Sequence, residues 1–420
     1  MNVGRDTQSA IYRAGAQGGM PVVPASWEAL EAAAHRAMSP AAWAYVAGSS
    51  GAEVTAANNR AAFDAVHLVP RVLRDVSTRD LSVELFGHRY PSPVLAAPVG
   101  VLELVHPDAD LAIAAAARAL GIPYVLSSQA SVPMETVATS MDGSPHWFQL
   151  YWSSNDELVE SFVSRAERTG AQAIVVTLDT HMLGWRPRDL DVAYLPFIRA
   201  QGIAQYTSDP VFARLVSERL AAPPAAGPKP RITPTTIRTL VEMSRNHPGR
   251  FGSNLRSPAP RAAVETFLDV FSRPSLTWND LAFLRGRTTL PILLKGIQHP
   301  DDASLALDYG VDGIVVSNHA GRQIDGAIGS FAALPAIADR VNGRMPVLLD
   351  SGVRSGSDVA KALARGANAV LVGRPYVYGM AVAGAAGAEA VLRNIIAEFD
   401  LVLGLSGHRS ASELGPDSLA

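Results

Sequence analysis

Eight short apolar runs recur along this chain, and each ends in polar residues or glycine. Nearly continuous apolar runs of this length are typical of strands buried on both faces, as in parallel sheets. Most are separated by helical patterns that begin near a capping or acidic residue and end in glycine, at 108–121, 154–170, 299–310 and 355–366. The apolar runs are 93–100, 123–129, 146–152, 173–179, 291–297, 313–319, 346–352 and 369–375. Eight strand–helix units predict an α/β fold, a (β/α)8 TIM barrel.

An open, doubly wound sheet is the alternative arrangement of such units. It fits less well, because no G-x-G-x-x-G motif follows the first run and because eight similar units favour closure. We expect the barrel to occupy residues 93–405. Residues 1–92 then form an N-terminal extension that is helical by pattern at 26–38 and packs on the barrel, and residues 406–420 form a C-terminal tail.

The connection between the fourth and fifth strands is much longer than the others and forms an insert at about 190–277. It contains the Pro- and Ala-rich stretch "AAPPAAGPKPRITPTT" (221–236) and a helical pattern at 236–245. Connections of this length are usually lids, binding loops or mobile segments. We expect a lid over the site, and a disordered insert without a role is the alternative.

Composition excludes several classes of function. The 420 residues include no cysteine, which excludes disulfides, Cys-ligated metal centres and thiol catalysis. A formal charge of −3 and the lack of a dense Lys/Arg run argue against nucleic-acid binding. The first twenty residues lack the apolar core of a signal peptide, and no apolar run reaches the roughly 18 residues of a membrane span. We therefore expect a cytoplasmic protein that spans no membrane.

Polar residues and glycines mark the ends of the predicted strands. In TIM barrels the carboxyl ends of the strands carry the active site. The residues at these ends are Gly100, Ser127, Gln149, Tyr151, Thr177, Lys295, Ser317, His319, Asp350, Gly373 and Arg374. A barrel without a site would not need polar residues at nearly every strand end, so we expect the site here.

The last two strands carry features of a phosphate site. "DSGVRSGSD" (350–358) and "VGRP" (372–375) both lead from a strand through glycine into a helix. Main-chain N–H groups at helix starts attract phosphate, and barrels commonly bind phosphate after strands seven and eight. Arg354 and Arg374 add positive charge and forked donors. Together these features predict a phosphorylated cofactor.

Two further strand ends carry candidate catalytic groups. Lys295 follows "PILL" and could form a Schiff base, pair with a buried carboxylate or face an anionic cofactor such as a reduced flavin. His319, in "SNHAGRQIDG" (317–326), can act as a base near neutral pH, although a lone histidine is more often structural.

Arginines and tyrosines near these strand ends suggest how a substrate would be held. Arg322 can bind a carboxylate through two hydrogen bonds, and Arg186 lies just past strand four. Arg188 competes with Arg186 for this role, or it pairs with one of the neighbouring aspartates at 189 and 191. Tyr151 ends strand three, and Tyr45 lies in the extension, where it is either a substrate-binding hydroxyl or a packing residue.

Six ordered motifs resemble those of the FMN-dependent α-hydroxy acid oxidase and dehydrogenase family. They are "FQLYW", "VVTLDT", "LLKGI", "SNHAGRQIDG", "DSGVRSGSDV" and "LVGRP", and the resemblance runs from about residue 26 to 415. The stretches "GWRPRDL" and "YVAGSSG" and the long insert are most similar to the lactate 2-monooxygenase branch of that family.

The resemblance implies FMN as the cofactor and a role for each matching position. Contacts to the flavin ring and ribityl chain are implied for Ser127, Gln149, Thr177, Lys295 and Ser317. Contacts to the ribityl chain and phosphate are implied for Asp350, Gly352, Arg354, Gly373 and Arg374. Proximity to the reactive flavin N5 is implied for Pro98, Val99 and Gly100. Substrate binding and activation are implied for Tyr45, Tyr151, Arg186, His319 and Arg322.

Three positions depart from the family pattern. Ala320 and Ser351 stand where glycine is typical, and the Ala320 methyl would crowd its loop if that position needs a positive φ. Gln129 stands where glycolate oxidase has an aromatic residue, so the size of the substrate cannot be copied from that enzyme.

The reaction that the resemblance implies is oxidation of a small L-2-hydroxy acid, L-lactate above all, with O2. Retention of the keto acid would give acetate, CO2 and water, whereas early release would give the 2-keto acid and H2O2. The alternatives are a dehydrogenase that passes electrons to a quinone or cytochrome and an FMN-binding barrel without catalysis. The choice between hydride transfer and a carbanion stays open, and the family implies a homotetramer or homo-octamer.

Overall fold

The computed structural model describes residues 2–223 and 232–420, so 224–231 of the Pro- and Ala-rich stretch lie outside the described residues. The N-terminal extension contributes four helices, α1 (Val3–Ala16), α2 (Trp27–Ala37), α3 (Pro40–Ala47) and α4 (Val54–Asp64). The helix predicted at 26–38 is therefore confirmed. A short antiparallel hairpin follows, β1 (Val83–Leu85) and β2 (His88–Tyr90), which the apolar pattern did not predict.

Eight parallel strands close into a barrel, which confirms the predicted fold class. They are β3 (Val94–Ala96), β4 (Tyr124–Ser127), β5 (His146–Tyr151), β6 (Ile174–Thr177), β7 (Ile292–Ile297), β8 (Gly313–Val316), β9 (Val347–Leu349) and β10 (Ala369–Val372). Their order around the barrel is β10-β3-β4-β5-β6-β7-β8-β9. Each strand lies within one of the eight apolar runs, and the open-sheet alternative is wrong.

Helices connect the strands on the outside of the barrel, as the capping signals predict. In the first half they are α5 (Ala109–Leu120), α6 (Met134–Met141) and α7 (Asp156–Arg168). The insert and the segment after it contribute α8 (Pro187–Asp191), α9 (Ala204–Thr207), α10 (Pro210–Ala221), α11 (Pro234–Asn246), α12 (Phe251–Asn254), α13 (Ala259–Val270) and α14 (Leu281–Arg285). In the second half they are α15 (Pro300–Asp308), α16 (Ser330–Val341), α17 (Gly356–Ala364) and α18 (Arg374–Leu405).

The hairpin of the extension closes the amino-terminal end of the barrel. Leu85 and Tyr90 are buried with the inward-facing strand residues, and Phe86 packs partly buried against the same cluster. Trp147 on β5 meets the Phe86 and Tyr90 rings edge-on, with ring centroids 5.7 and 6.4 Å apart. Because this end is filled with side chains, a cavity can form only toward the carboxyl ends of the strands.

The described part of the insert packs on the outer face of α7. The Arg165 guanidinium donates to Asp209 Oδ2 at 3.0 Å and to the Gln205 carbonyl at 2.8 Å, and its other arm pairs with Glu135. Tyr206 of the insert meets Phe162 of α7 edge-on, with ring centroids 5.0 Å apart. A buried arginine with several partners therefore fixes this part of the insert to the barrel.

The last helix, α18, is long and apolar enough to cross a bilayer by length and composition. Half of its most apolar window is buried, however, and it packs against α1, α2, α5 and α17. A kink at Ala383 and Gly384 divides it, with φ of −149° and 57°. The C-terminal tail then pairs with the extension through Leu419 opposite Leu68 and Ser410 opposite Asp80.

Candidate active site

One cavity at the carboxyl ends of the barrel strands brings together most of the predicted site residues. Its lining includes Tyr45, Pro98, Val99, Gly100, Gln149, Tyr151, Thr177, Arg186, Lys295, His319, Arg322, Asp350, Gly352, Arg354, Gly373 and Arg374. They come from the extension, from seven strands or the loops after them, and from the start of α18. The barrel therefore gathers residues that are far apart in the sequence into one space.

Ser127 and Ser317 lie behind the cavity wall rather than in its lining. Ser127 Oγ donates to Gln149 Oε1 at 3.1 Å. Ser317 Oγ accepts from Lys295 Nζ at 2.7 Å and from the His319 main-chain N–H at 3.1 Å. Both hydroxyls therefore orient a side chain or a loop that does reach the cavity, and their contact with the cofactor stays a prediction.

His319 is held by a carboxylate that sequence reasoning missed. Its Nδ1 lies 2.9 Å from Asp179 Oδ1. A carboxylate accepts, so Nδ1 carries the hydrogen and Nε2 keeps its lone pair. Asp179 ends the fourth apolar run, "AIVVTLD", and its polar side chain at a strand end was the signal that could have identified it.

Electrostatics keep His319 neutral and Asp179 ionised. Burial lowers the pKa of His319, Asp179 opposes this shift, and the positive charges of Lys295 and Arg186 reinforce it. Burial raises the pKa of Asp179, but His319 and Lys295 outweigh it, so the net pKa is lowered. A neutral imidazole with a free Nε2 lone pair can accept a proton, as a general base must.

Lys295 pairs with a buried carboxylate, one of the three alternatives open from the sequence. Its Nζ lies 2.8 Å from Asp350 Oδ2, and both side chains are nearly inaccessible. Burial lowers the pKa of Lys295, but Asp350 and Asp179 raise it more, so the pKa is raised overall. The amine is thus protonated at neutral pH, which disfavours a Schiff base, and its charge borders the cavity.

Arg186 and Arg322 line the same cavity. Arg186 Nε donates to the Arg322 carbonyl at 3.0 Å and its NH2 to Gln323 Oε1 at 2.8 Å, while Arg322 NH1 donates to the carbonyls of Tyr45 and Gly48. Burial and the charge of Arg322 lower the pKa of Arg186 to about 10. Two guanidiniums that repel each other in a buried space favour an anion between them.

The alternative arginine, Arg188, has a different partner. It pairs with Glu53 at 2.5 Å, with both side chains partly exposed, and it does not line the cavity. The predicted pairing with a neighbouring aspartate is therefore wrong, because Glu53 of the extension reaches Arg188 across the tertiary fold. Of these two arginines, Arg186 lines the cavity and stays the candidate for the substrate-binding role.

Both tyrosines reach the cavity as hydroxyl donors. Burial raises the pKa of Tyr45, although Arg322 and Arg186 partly oppose it. The Arg322 guanidinium lies 5.0 Å from the centre of the Tyr45 ring, a cation–π contact. Burial and the nearby Asp179 charge also raise the pKa of Tyr151. Both hydroxyls therefore stay protonated and can donate to a substrate oxygen.

A second group of cations, the cation cluster, lines the cavity. Arg354, Arg374 and Arg60 line it together, and Arg60 was not predicted. Burial first, and then Arg60, lower the pKa of Arg354, whose guanidinium lies 4.1 Å from the centre of the Trp27 ring. Arg60 lies on α4 of the extension, so a search of the barrel strand ends could not identify it. Three guanidiniums beside the start of α18 form a site suited to phosphate.

The residues present fit FMN. In the described part of the chain, Gln149 Nε2 and Thr177 Oγ1 are buried without a hydrogen-bond partner, and both residues line the cavity on the two strands that precede the Lys295 strand in the barrel. Buried polar atoms of this kind need a partner, and a flavin ring carries donors and acceptors on one edge. The cation cluster matches the phosphate, and Lys295 matches the anionic edge of the ring.

The three departures from the family pattern all lie at the cavity. Ala320 has φ 57° and ψ 32°, so this position does need a positive φ, as the sequence suggested. Ser351 also has a positive φ, of 72°. Gln129 lines the cavity beside Gly100.

Comparison with known proteins agrees with this geometry. The profile of the FMN-dependent dehydrogenase family matches residues 34–420. An L-lactate oxidase of Lysinibacillus sphaericus is 40% identical over 391 residues, 93% of this chain and 91% of the relative. An FMN-dependent α-hydroxy acid dehydrogenase of Penicillium citrinum is 40% identical over 413 residues, 98% of this chain and 94% of the relative.

The crystal structure of a mandelate oxidase superimposes with a TM-score of 0.75 at 33% identity, covering 95% of this chain and 98% of that one. The family profile, the relatives and the barrel with its cation cluster and His319–Asp179 pair all indicate the same chemistry. The chain belongs to the family of FMN-dependent dehydrogenases that oxidise α-hydroxy acids.

Proposed function

We propose that the enzyme oxidises a small L-2-hydroxy acid, with L-lactate as the substrate and O2 as the electron acceptor. The observation that carries this proposal is the convergence of Arg186, Arg322 and the His319–Asp179 pair on one cavity. The similarity to an L-lactate oxidase supports lactate as the acid.

The arginines fix the substrate carboxylate. The buried Arg186 and the partly buried Arg322 both line the cavity, and a carboxylate can take two parallel hydrogen bonds from a guanidinium. The protonated hydroxyls of Tyr45 and Tyr151 are available to the substrate oxygens. In the proposed binding mode, the hydroxyl-bearing carbon of the acid lies near His319.

His319 holds the proton that leaves the substrate. Oxidation of a 2-hydroxy acid to a 2-keto acid removes two electrons and two protons, and bound FMN would accept both electrons and one proton. The other proton passes to His319 Nε2, and the ionised Asp179 stabilises the imidazolium that results. The same base serves whether it takes the hydroxyl proton or the proton on the α-carbon.

We infer further that the enzyme retains the keto acid while O2 reacts. Peroxide formed beside the keto acid decarboxylates it, so lactate and O2 give acetate, CO2 and water. Phe197 and Phe271 of the insert line the cavity, as do Met182 and Leu183 of the loop after β6. The apolar side chains that the insert contributes to the cavity support a role for the insert in slowing product escape.

Release of the keto acid with formation of H2O2 is the second candidate outcome. The 40%-identical L-lactate oxidase favours it. Anaerobic mixing with a panel of L-2-hydroxy acids, followed by admission of air, tests both the substrate and the outcome. Lactate should bleach the yellow flavin absorbance fastest, and acetate should then form without peroxide. Stoichiometric peroxide would exclude retention, and a flavin that no 2-hydroxy acid bleaches would exclude the substrate class.

We also propose that the protein is a homotetramer or homo-octamer. Three neighbouring apolar side chains, Met182, Leu183 and Trp185, are 63, 55 and 73% exposed beside the cavity mouth. Large exposed apolar groups in one place are typical of contact surfaces. Light scattering of the holoenzyme measures the mass, and a monomer at micromolar concentration would contradict this assignment.

A further inference from the structure

The two residues that replace family glycines meet each other in the structure. The main-chain N–H of Ala320 donates to Ser351 Oγ at 2.9 Å, and that of Asn318 donates to the same oxygen at 3.4 Å. The Ser351 hydroxyl in turn donates to Asp350 Oδ1 at 2.8 Å. One donor and two acceptor positions are all that a hydroxyl has, so Ser351 Oγ is fully used.

These bonds complete a closed ring of contacts around the loop that carries His319. Asp350 binds Lys295 at 2.8 Å, Lys295 binds Ser317 Oγ at 2.7 Å, and Ser317 Oγ accepts the His319 main-chain N–H at 3.1 Å. Three consecutive N–H groups, at 318, 319 and 320, therefore end on two serine hydroxyls. Without the Ser351 hydroxyl, the His319 N–H would still bond to Ser317 Oγ, but the N–H groups of 318 and 320 would lose their bond to a serine.

The loop needs such support because its backbone is strained. His319 and Ala320 are adjacent and have φ of 56° and 57°, in the left-handed region. Residues with a Cβ adopt this region at a cost, and two in succession are unusual. Strain of this kind persists at functional sites only where surrounding contacts determine the conformation. Ser351 supplies such contacts to both neighbours of His319.

We propose that Ser351 is a positioning residue that holds residues 318–320 in their observed conformation, left-handed at 319 and 320, and so keeps the His319 ring against Asp179. Its hydroxyl offsets the unfavourable methyl group of Ala320, since a glycine at this position would adopt the same conformation without strain. The inference rests on the proposed role of His319 as the base. The competing explanation is that Ser351 acts through Asp350 and Lys295 on the cofactor.

A double-mutant cycle separates these explanations. Ser351→Gly removes the hydroxyl while tolerating the positive φ of 72°, so the variant is expected to fold. The rate of anaerobic flavin reduction should fall about 3- to 10-fold, the range that a typical net hydrogen bond corresponds to. In the Ala320→Gly background, the further substitution Ser351→Gly should lower this rate by about 2-fold or less. A loop with glycine in place of Ala320 no longer needs support from the Ser351 hydroxyl.

The pH profile reports on His319 itself. Its ring is faced by Asp179, Lys295 and Arg186, and of these only Asp179 raises its pKa. Loosening the contact with Asp179 therefore lowers the pKa of His319 further. The acid limb of kcat/KM should move to lower pH in Ser351→Gly and return in the double variant. If Ser351→Gly only destabilised the protein, kcat/KM would fall while its acid limb stayed at the same pH.

Two measurements do not depend on turnover. FMN titrated into apoprotein should bind Ser351→Gly within about 2-fold of the parent, and a crystal structure of this variant should show residue 320 outside the left-handed region. Asn342→Gly is the matched backbone control, because Asn342 has φ 47° at the exposed end of α16, and it should leave the rate unchanged.

Several outcomes would contradict the proposed positioning role of Ser351. They are an equal loss of rate in both backgrounds, weakened FMN binding with an unchanged reduction rate, or a variant structure with the loop intact. Failure of the proposed function is distinguishable, since the parent itself would then not be reduced by any 2-hydroxy acid.

Discussion

At the scale of single residues, the proposed chemistry depends on His319. His319→Ala should reduce the rate of flavin reduction by about 10²–10⁴-fold, the usual contribution of a positioned general base. FMN binding should persist, because Lys295 and the cation cluster would hold the cofactor independently of the His319 ring. Stopped-flow reduction and flavin content measure the two effects. Reduction near the parent rate would contradict the assignment.

Asp179 sets the pH range in which His319 works. Its carboxylate raises the pKa of His319 against the effect of burial. Asp179→Asn should therefore lower the pKa of the base, so activity should persist to lower pH than in the parent while the maximal rate falls. A pH series of kcat/KM measures this shift. An acid limb that moves to higher pH would show that Asp179 does not act on His319 in this way.

Lys295 is the residue whose loss should affect the cofactor. Lys295→Met leaves the buried Asp350 carboxylate without its partner at 2.8 Å and removes the positive charge from the cavity wall. FMN should bind more weakly and its reduction should slow. Lys361→Met is the control, since Lys361 Nζ binds the Phe63 carbonyl at 2.9 Å outside the cavity lining. Equal flavin content and an equal rate of flavin reduction in both variants would show that Lys295 does not bind or tune the cofactor.

At the scale of elements, the insert should decide what happens to the product. Arg165 is buried and binds Asp209 and Gln205, so Arg165→Met should destabilise the protein by about 3–5 kcal/mol and loosen the insert. The peroxide share of the products should then rise. Arg261→Met breaks only an exposed pair with Glu265 on α13 and should change neither quantity. Lower stability with an unchanged product ratio would show that the insert does not retain the keto acid.

The elements were largely predictable from sequence because they depend on local patterns. All eight strands and the four capped helices between them follow from apolar runs, capping residues and glycines. The hairpin at 83–90 was missed because two three-residue strands give too short an alternation to recognise. Its role at the bottom of the barrel depends on tertiary contacts with Trp147.

The site was predictable where it follows from barrel geometry and not where it depends on side-chain pairing. Strand ends identified the lining residues, because every parallel strand ends at the same rim. Arg60 comes from a helix of the extension, and the contact between Ser351 and Ala320 joins two separate loops. Contacts between segments that are distant in the chain produce no recognisable residue spacing, so they could not be predicted from a single sequence.

At the scale of the whole molecule, the cofactor should contribute to stability. Burial first, and then Arg60 and Arg374, lower the pKa of the partly buried Arg354, so these positive charges should destabilise the apoprotein, whereas FMN at a hundred times its Kd adds about 2.7 kcal/mol. Removal of FMN should therefore lower the unfolding midpoint, and inorganic phosphate should restore part of the loss. Calorimetry of the holoprotein and apoprotein, with and without phosphate, measures this. An unchanged midpoint would mean that the cluster is not a phosphate site.

The filled amino-terminal end of the barrel has a consequence for the kinetics of the proposed reaction. With the hairpin filling the lower end, the cavity lies at the rim of the barrel, where side chains of the insert and of the loop at 180–186 line it. In the proposed reaction, O2 would enter and the keto acid would leave past these same side chains. Because O2 is much smaller than the keto acid, a substitution that widens the passage between them should speed the escape of the keto acid more than the entry of O2, and the share of peroxide among the products should rise.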